Sequence, residues 1–205
     1  MATLHGLKPR FQAALRPLAG RLARAGVTAN QVTVAAIVLA LGYGAAIVMT
    51  VGSAAVLLAL PAVLLVRMGL NAIDGMIARE HGQESRLGAC LNEIGDVVAD
   101  AAIYLPLALA LVPGFGLLAG LMAVAFALTE LAGILARSLG GRRRYDGPFG
   151  KADRAAYFTV LAVASVVPGL PLAVRAAAIG VAIALAGVTV VNRLRAPVEA
   201  DPVHG

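Results

Sequence analysis

The sequence has no tryptophan, and aromatic and charged residues are scarce, at 4% and 14% of its 205 positions. Charged residues make up about 25% of typical soluble domains, so a surface that faces water on all sides is excluded. Hydrophobic residues account for 60% of the chain, and its mean hydropathy is +0.87. Most of them are Ala, Val and Leu, whose small side chains let helices pack closely in lipid. The composition therefore indicates a membrane protein.

Cysteine is nearly absent as well, with Cys90 as the single example. One thiol cannot form an intramolecular disulfide bond, and it cannot build a cysteine-based metal site. We expect Cys90 to be a small buried residue on a helix. Any metal site in this chain must therefore use other side chains.

Charge is missing altogether from residues 25–66, a stretch long enough for more than one membrane span, since each span needs about 20 apolar residues. The turn sequence TVGS (50–53) divides this stretch, and PGFG (113–116) and PGLP (168–171) divide the rest of the apolar chain. The pattern predicts an all-α bundle of six transmembrane helices in a single domain, 1–205. The predicted helices lie near 31–50, 54–79, 86–111, 116–139, 153–168 and 172–194.

The basic residues alternate along this map, and they cluster at 8–24, 79–86, 137–154 and 193–195. The intervening loops near 51, 113 and 169 carry no charge. Cytoplasmic loops of membrane proteins are enriched in Lys and Arg, so both termini are expected in the cytoplasm. We therefore expect a multi-pass protein of the inner (plasma) membrane.

Before the first predicted span, residues 7–26 place Leu and Phe among basic side chains. This spacing predicts an amphipathic helix that lies on the inner leaflet and is attracted by anionic lipid. The alternative is a plain topology signal, because basic flanks are common beside membrane spans.

Residues 71–100 differ from the apolar chain around them, because they hold six of its eleven acidic residues. Asn71 and Asp74 share one face of the second predicted span, while Asn92 and Asp96 are four residues apart on the third. A short connection makes these two helices antiparallel neighbours, so their polar faces can meet. Carboxylate and amide oxygens suit a hard cation such as Mg²⁺, Mn²⁺ or Ca²⁺ rather than zinc.

The spacing within this stretch matches, position by position, the signature of the CDP-alcohol phosphotransferase (CDP-alcohol phosphatidyltransferase) family, D-x2-DG-x2-AR-x8-G-x3-D-x3-D. The chain reads NAIDGMIAREHGQESRLGACLNEIGD over the same span, with Asn71 and Asn92 in place of two aspartates. The segments GVTANQVT (26–33) and GPFGKADR (147–154) also resemble segments of that family.

The resemblance implies a homodimer of six-helix subunits with one or two divalent ions, Mg²⁺ or Mn²⁺, between the second and third spans. It also implies a CDP-linked donor, such as CDP-diacylglycerol, that passes its phosphatidyl group to a small alcohol and releases CMP. The metal-ligand positions fall on Asn71, Asp74, Asn92 and Asp96, and Asp96 also takes the position of the catalytic base. Glu93 and Asp100, which are not signature positions, are acids able to replace part of the lost charge. The substrate-binding positions are Asn30, Thr33, Gly75, Ala78, Arg79, Ser85, Gly88, Lys151 and Arg154.

Charged residues outside the signature have plainer interpretations. Arg67 precedes Asn71 by one helical turn and is expected to pair with the acids, and Glu130 is expected to have a partner inside the bundle. The basic segment with Arg142–Arg144, Lys151 and Arg154 is either a topology signal that contacts anionic lipid or a pocket for an acceptor phosphate.

Three classes of function fit these observations. The first is a phospholipid-synthesising transferase, and the second is a degenerate relative that binds CDP-lipid or metal but, with two asparagines at ligand positions, turns over little. The third is a small transporter or ion-conducting bundle, which accounts for intramembrane acids but not for the spacing of the signature. No nucleic-acid partner is expected.

Overall fold

The computed structural model describes residues 7–138, 147–166 and 170–200, and these residues form helices connected by short turns, without a strand. The helices in these ranges are α1 (Leu7–Arg24), α2 (Ala29–Met49), α3 (Ala54–Glu80), α4 (Arg86–Leu111), α5 (Gly116–Ser138), α6 (Lys151–Val166) and α7 (Leu172–Ala200). The predicted all-α fold is confirmed, and the predicted helix bounds differ from these by only a few residues.

The number of membrane spans is the main correction. Within the described residues, five helices are long and apolar enough to cross a membrane, namely α2, α3, α4, α5 and α7. The sixth predicted span corresponds to α6, which has 16 residues and opens with charged side chains. At 1.5 Å per residue it is about 24 Å long, short of the roughly 30 Å of a bilayer core. The last two residues predicted for it, 167 and 168, lie outside the described residues.

The distribution of side chains is that of a protein whose solvent is lipid. Large apolar residues are exposed on the outer faces of the helices, for example Val38, Leu65 and Val124. Charged residues are buried between the helices, among them Arg67 and Asp100. This arrangement confirms the predicted membrane class, because intramembrane charges face the bundle interior rather than lipid.

Helices α2 and α4 pack closely because glycine removes a side chain at their crossing. A Cβ atom on Gly44 would collide with the backbone carbonyl of Ala102, two residues beyond Asp100 on α4. The start of α2 is fixed by a capping box. The Thr28 hydroxyl accepts a hydrogen bond from the backbone N–H of Gln31, and the Gln31 side-chain oxygen accepts one from the backbone N–H of Thr28. The crossing at Gly44 places α2 against α4, and the capping box fixes the residue at which α2 begins.

The helix predicted for residues 7–26 is present as α1, and it packs on the C-terminal part of α3. Its Ala19 is buried against Ile73 and Ile77 of α3, and Arg16 pairs with Glu80 at 3.1 Å.

The prediction that Cys90 is buried is wrong, because its thiol is exposed on α4.

An aromatic cluster anchors the segment that leads into α6. Phe149 is buried against Phe126 of α5, with ring centroids 5.8 Å apart, and Phe126 also contacts Tyr104 and Phe158. The backbone N–H of Phe149 donates to the Thr189 hydroxyl of α7 at 3.0 Å. The N-terminus of α6, which carries Lys151, is therefore held beside α4 and α5.

Candidate active site

Helices α3 and α4 bring together the four side chains at the predicted metal-ligand positions. The Asn71 amide donates to Asp96 Oδ1 at 3.0 Å, and the Asn92 amide donates to Asp74 Oδ2 at 3.3 Å. Each pair joins an amide on one helix to a carboxylate on the other. The two asparagines therefore lie in the polar site and not on a lipid-facing surface.

Asp74 is the more enclosed of the two carboxylates. Its Oδ2 also accepts a hydrogen bond from the Thr33 hydroxyl of α2 at 2.8 Å, and the residue is only 3% exposed. The structure thus places Thr33, predicted from the resemblance to be near the substrate, in direct contact with a ligand-position carboxylate.

Asp96 is contacted by side chains from two other helices, α3 and α6. Besides the amide of Asn71, it receives the ammonium group of Lys151 from α6 on Oδ2, and the Arg67 guanidinium lies 3.6 Å from Oδ1. The Asp96 side chain is 9% exposed and that of Lys151 is 34% exposed. The Arg67 side chain is 8% exposed, so Lys151 is the more solvent-accessible of the two cations near Asp96.

Behind Asp96, a chain of buried ion pairs crosses the bundle. Arg67 contacts Asp100 at 2.6 Å, Arg154 contacts Asp100 at 2.9 Å, and Arg154 contacts Glu130 at 2.7 Å. Glu130 Oε2 lies 3.3 Å from the Lys151 ammonium, which closes the chain back onto Asp96. We name this set the charge cluster; its members are Arg67, Asp96, Asp100, Glu130, Lys151 and Arg154. Both predicted pairings, of Arg67 with acids and of Glu130 inside the bundle, are confirmed.

Arg154 is the most enclosed member of the charge cluster. Its side chain has no exposed surface, donates to the Thr129 hydroxyl at 2.7 Å and lies over the Phe126 ring at 5.0 Å. Arg193 of α7 is buried next to it and donates to the Thr129 carbonyl. The sequence did not reveal Thr129 or Arg193 as partners, since helical periodicity does not show which faces of α5, α6 and α7 meet.

Asp100 does not join the four ligand positions. Its two oxygens face Arg67 and Arg154, one helical turn deeper in the bundle than Asp96. Glu93 is half-buried on the same helix. Among the described residues, no group of three or more His, Cys, Asp and Glu side chains is placed to hold a metal ion. This agrees with a site in which two of four ligand positions are amides.

The predicted donor-binding residues lie around the ends of α3 and α4. The Arg79 guanidinium lies across Gly75, where a Cβ atom would be 3.0 Å from both terminal nitrogens. Gly88 similarly leaves room for Asn30, whose Oδ1 would be 2.7 Å from an added Cβ. The Ser85 hydroxyl accepts from the Gly88 N–H at 2.9 Å and caps α4.

Ala78 takes no part in this polar region. It packs with the apolar side chains between α1 and α3, among them Ala19 and Ile77. Its small size allows α1 to approach α3, so its place in the signature has a packing explanation. Arg79, by contrast, is exposed at the end of α3.

A family model described as CDP-alcohol phosphatidyltransferase matches residues 26–192. The chain belongs to this family of phosphate-group transferases. The family resemblance predicted from the signature is thereby confirmed, and the transporter interpretation loses its basis. The matched region includes α2 to α6, most of α7 and the entire charge cluster.

Among proteins similar to this chain is inner membrane protein YnbA of Escherichia coli (strain K12), which is 49% identical over 156 residues. That match covers 76% of this chain and 77% of YnbA.

Crystal structures of Mycobacterium tuberculosis phosphatidylinositol phosphate synthase (PgsA1) have the same fold. The complex with manganese and citrate has a TM-score of 0.73 and 22% identity, covering 92% of this chain and 90% of the synthase. The structure with CDP-DAG bound has a TM-score of 0.73 and 21% identity, covering 89% and 92%. At this identity the likeness establishes the fold alone.

Proposed function

We propose that the protein transfers the phosphatidyl group of a CDP-linked lipid, CDP-diacylglycerol, to an alcohol and releases CMP at the cytoplasmic side of the inner membrane. The observation that carries the proposal is the meeting of Asn71, Asp74, Asn92 and Asp96 between α3 and α4. The family membership supports the reaction class, and a PgsA1 structure of the same fold holds CDP-DAG. The alternating basic loops support the cytoplasmic side.

The chemistry of these four side chains fits a hard divalent cation, Mg²⁺ or Mn²⁺. They offer only oxygen ligands, and oxygen ligands are those that such ions prefer. Asp74 and Asp96 supply two negative charges, which balance one divalent ion and not two. We therefore propose one well-held ion, whose role would be to offset the charge of the donor's pyrophosphate.

Asp96 is the base in the proposed reaction. Its carboxylate takes the proton of the acceptor hydroxyl, whose oxygen forms a bond to the phosphorus of the phosphatidyl group. The bond between that phosphorus and the bridging oxygen of CMP breaks, and CMP leaves with the electron pair. Asn71 and Lys151 hold the Asp96 carboxylate in place, and Thr33 does the same for Asp74.

Arg79 contacts the donor in this proposal. Its planar guanidinium can bind two phosphate oxygens at once, and Gly75 leaves the space in which it lies. Gly88 and Asn30 line the same end of the helix pair, where the nucleotide would approach.

The test is CMP release from CDP-diacylglycerol by the purified protein in detergent, with Mg²⁺, with Mn²⁺ and with chelator, over a panel of alcohols. We expect release that requires both metal and an alcohol. Asp96→Asn should lower release by about 10²- to 10⁴-fold, because an amide cannot accept the proton, while donor binding is retained. The exposed Glu84→Gln is the control and should leave release unchanged.

The second candidate is a relative that binds the donor with little turnover. It is favoured by the amides at two ligand positions and by the ion pair that Lys151 makes with Asp96. Donor binding without CMP release under every metal and alcohol condition would establish it and reject the transferase proposal.

A further inference from the structure

Away from the candidate active site, a groove lies between α1 and the end of α3. Its volume is about 520 Å³, and its walls include Arg16, Arg21 and Arg24 of α1 together with Glu80 and His81 where α3 ends. None of the four metal-ligand positions lines the groove, so it is separate from the polar site between α3 and α4. The three arginines against the one glutamate give the groove a charge of +2, with His81 counted as neutral.

The arginines of this groove differ in their partners. Arg16 lies against Glu80, with Nη2 3.1 Å from Oε1. Arg21 and Arg24 are exposed, and within the described residues neither pairs with a carboxylate. They are three positions apart on α1, so their side chains are neighbours, and like charges that neighbour each other on a helix destabilise it. An anion bound between Arg21 and Arg24 would remove this repulsion.

Gly20 keeps the space beside these two arginines open. A Cβ atom added at this position would lie 3.4 Å from Nη1 of Arg24, so the Arg24 guanidinium lies over the glycine. Gly20 also lines the groove, and a larger side chain there would occupy part of it. The groove therefore combines the guanidinium groups of Arg21 and Arg24 with room for an anionic group.

The groove lies where a membrane span ends. Helix α3 is long and apolar enough to cross a membrane, and its last two residues, Arg79 and Glu80, are charged, which is typical of the point where a span leaves the apolar core. On α1, Leu18 lies three residues before Arg21 and is 45% exposed, so an apolar side chain adjoins the basic groove. A phospholipid offers a phosphate and acyl chains in one molecule, whereas a free phosphate offers only the first.

We propose that this groove binds one anionic phospholipid, such as phosphatidylglycerol, with its phosphate between Arg21 and Arg24 and its acyl chains beside Leu18. The planar guanidinium of arginine forms two parallel hydrogen bonds to a phosphate group. The positive charge of the groove favours a headgroup without an ammonium group, because the arginines would repel an ammonium. Phosphatidylcholine, whose headgroup has no net charge, is therefore the poorer ligand.

The test is thermal unfolding of the purified full-length protein in a non-ionic detergent with added lipid. Phosphatidylglycerol should raise the Tm in a saturable way, since a ligand that binds the folded state stabilises it. Phosphatidylcholine and inorganic phosphate at the same concentration should raise the Tm less. No rise with phosphatidylglycerol, or an equal rise with phosphatidylcholine, would overturn the proposal. An equal rise with inorganic phosphate would identify a site for free anions and reject the lipid.

A matched pair of double variants locates the bound lipid. Arg21→Gln with Arg24→Gln should raise the phosphatidylglycerol concentration for the half-maximal rise in Tm by about tenfold or more, since each arginine adds to the attraction of an anionic lipid. The control is Arg10→Gln with Arg195→Gln, which removes two exposed arginines outside the groove and should leave that concentration nearly unchanged. Equal effects of the two double variants, large or absent, would reject a discrete site at Arg21 and Arg24.

Two further variants change the groove without removing an arginine. Gly20→Leu keeps every charge and fills part of the space, so it should weaken phosphatidylglycerol binding severalfold. The Tm without lipid should not fall in this variant, because leucine favours a helix over glycine. Glu80→Gln removes the carboxylate that binds Arg16 and should strengthen lipid binding. Unchanged binding in Gly20→Leu, or weaker binding in Glu80→Gln, would overturn the proposal.

Discussion

Asn71 and Asn92 each donate an amide hydrogen to a carboxylate across the α3–α4 interface. Each carboxylate thus faces a neutral hydrogen-bond donor and not a second carboxylate. An aspartate at either position would place two carboxylates at hydrogen-bond distance, where both cannot remain ionised without a cation. The asparagines thus allow the two helices to pack in the absence of metal. The replacement of two aspartates by asparagines also lowers the expected affinity for metal, since the affinity of an oxygen-ligand site depends on the charge of its ligands.

The double variant Asn71→Asp with Asn92→Asp tests whether the asparagines favour helix packing without metal and lower the affinity for metal. We expect a lower Tm than the natural protein in chelator, a larger rise in Tm with Mg²⁺ or Mn²⁺, and a lower metal concentration for half-maximal binding. The measurement is a metal titration followed by thermal unfolding in detergent. The control is Asn192→Asp, at an exposed position on α7. Identical titrations of double variant and natural protein would mean that Asn71 and Asn92 are packing residues.

Arg79 offers a second test at the scale of single residues. Arg79→Lys should weaken donor binding, because an ammonium is a point charge and loses the two-oxygen contact of the guanidinium. We expect a several-fold rise in the KM for CDP-diacylglycerol. Arg10→Lys, at an exposed position on α1, is the matched control. Equal effects at the two positions would identify Arg79 as ordinary surface charge.

Among the helices, the crossing of α2 and α4 depends on one glycine. Gly44→Ala would push a methyl group into the Ala102 carbonyl of α4, so the helices must separate and the site between α2, α3 and α4 widens. We expect a Tm several degrees lower, with a loss of CMP release that exceeds the loss of folded protein. Gly42→Ala, two residues earlier on α2, meets no atom within 4 Å and should be neutral or slightly stabilising. Equal Tm values for the two variants would contradict the close packing.

Helices were the part of the fold that the sequence predicted best, because long apolar runs and turn residues mark their ends. The meeting of α3 and α4 also followed from the sequence, since a short connection makes neighbours of them. Lys151 at Asp96 and Arg154 at Glu130 could not be located in this way. The first contact joins α6 to α4 across 55 residues and the second joins the consecutive helices α5 and α6, and helical periodicity carries no information on which faces of different helices touch. The exposure of the Cys90 thiol was not predicted either, because the small size of a residue does not determine which face of a helix it occupies.

For the whole molecule, the orientation in the membrane stays a prediction, and α4 provides its test. Glu84 precedes α4 and Phe115 follows it, so cysteines at these positions should be labelled from opposite sides of the membrane. In a Cys90→Ser background, we expect Glu84→Cys to react only with a reagent that reaches the cytoplasm, and Phe115→Cys with one confined to the outside. The basic residues at 79–86 predict this orientation. Labelling of Glu84→Cys from outside would reject it.

The homodimer implied by the family resemblance is likewise a prediction for this chain. Five spanning helices and the shorter α6 leave many apolar side chains exposed, and lipid or a second subunit can cover them equally well. The mass of the detergent-solubilised protein, measured by light scattering, distinguishes one subunit from two.

The charge cluster also bears on how the chain enters the bilayer. Arg67 lies midway along α3, and Asp100 and Glu130 lie within α4 and α5. A lone charge at the centre of a helix costs about 2.5–3.5 kcal/mol on insertion scales, so each of these helices is a poorer membrane segment alone than its apolar residues suggest. Pairing of Arg67 with Asp100 removes that cost for α3 and α4 together. We therefore expect α3 and α4 to leave the insertion machinery as a hairpin, and α5 to be retained until α6 supplies Arg154.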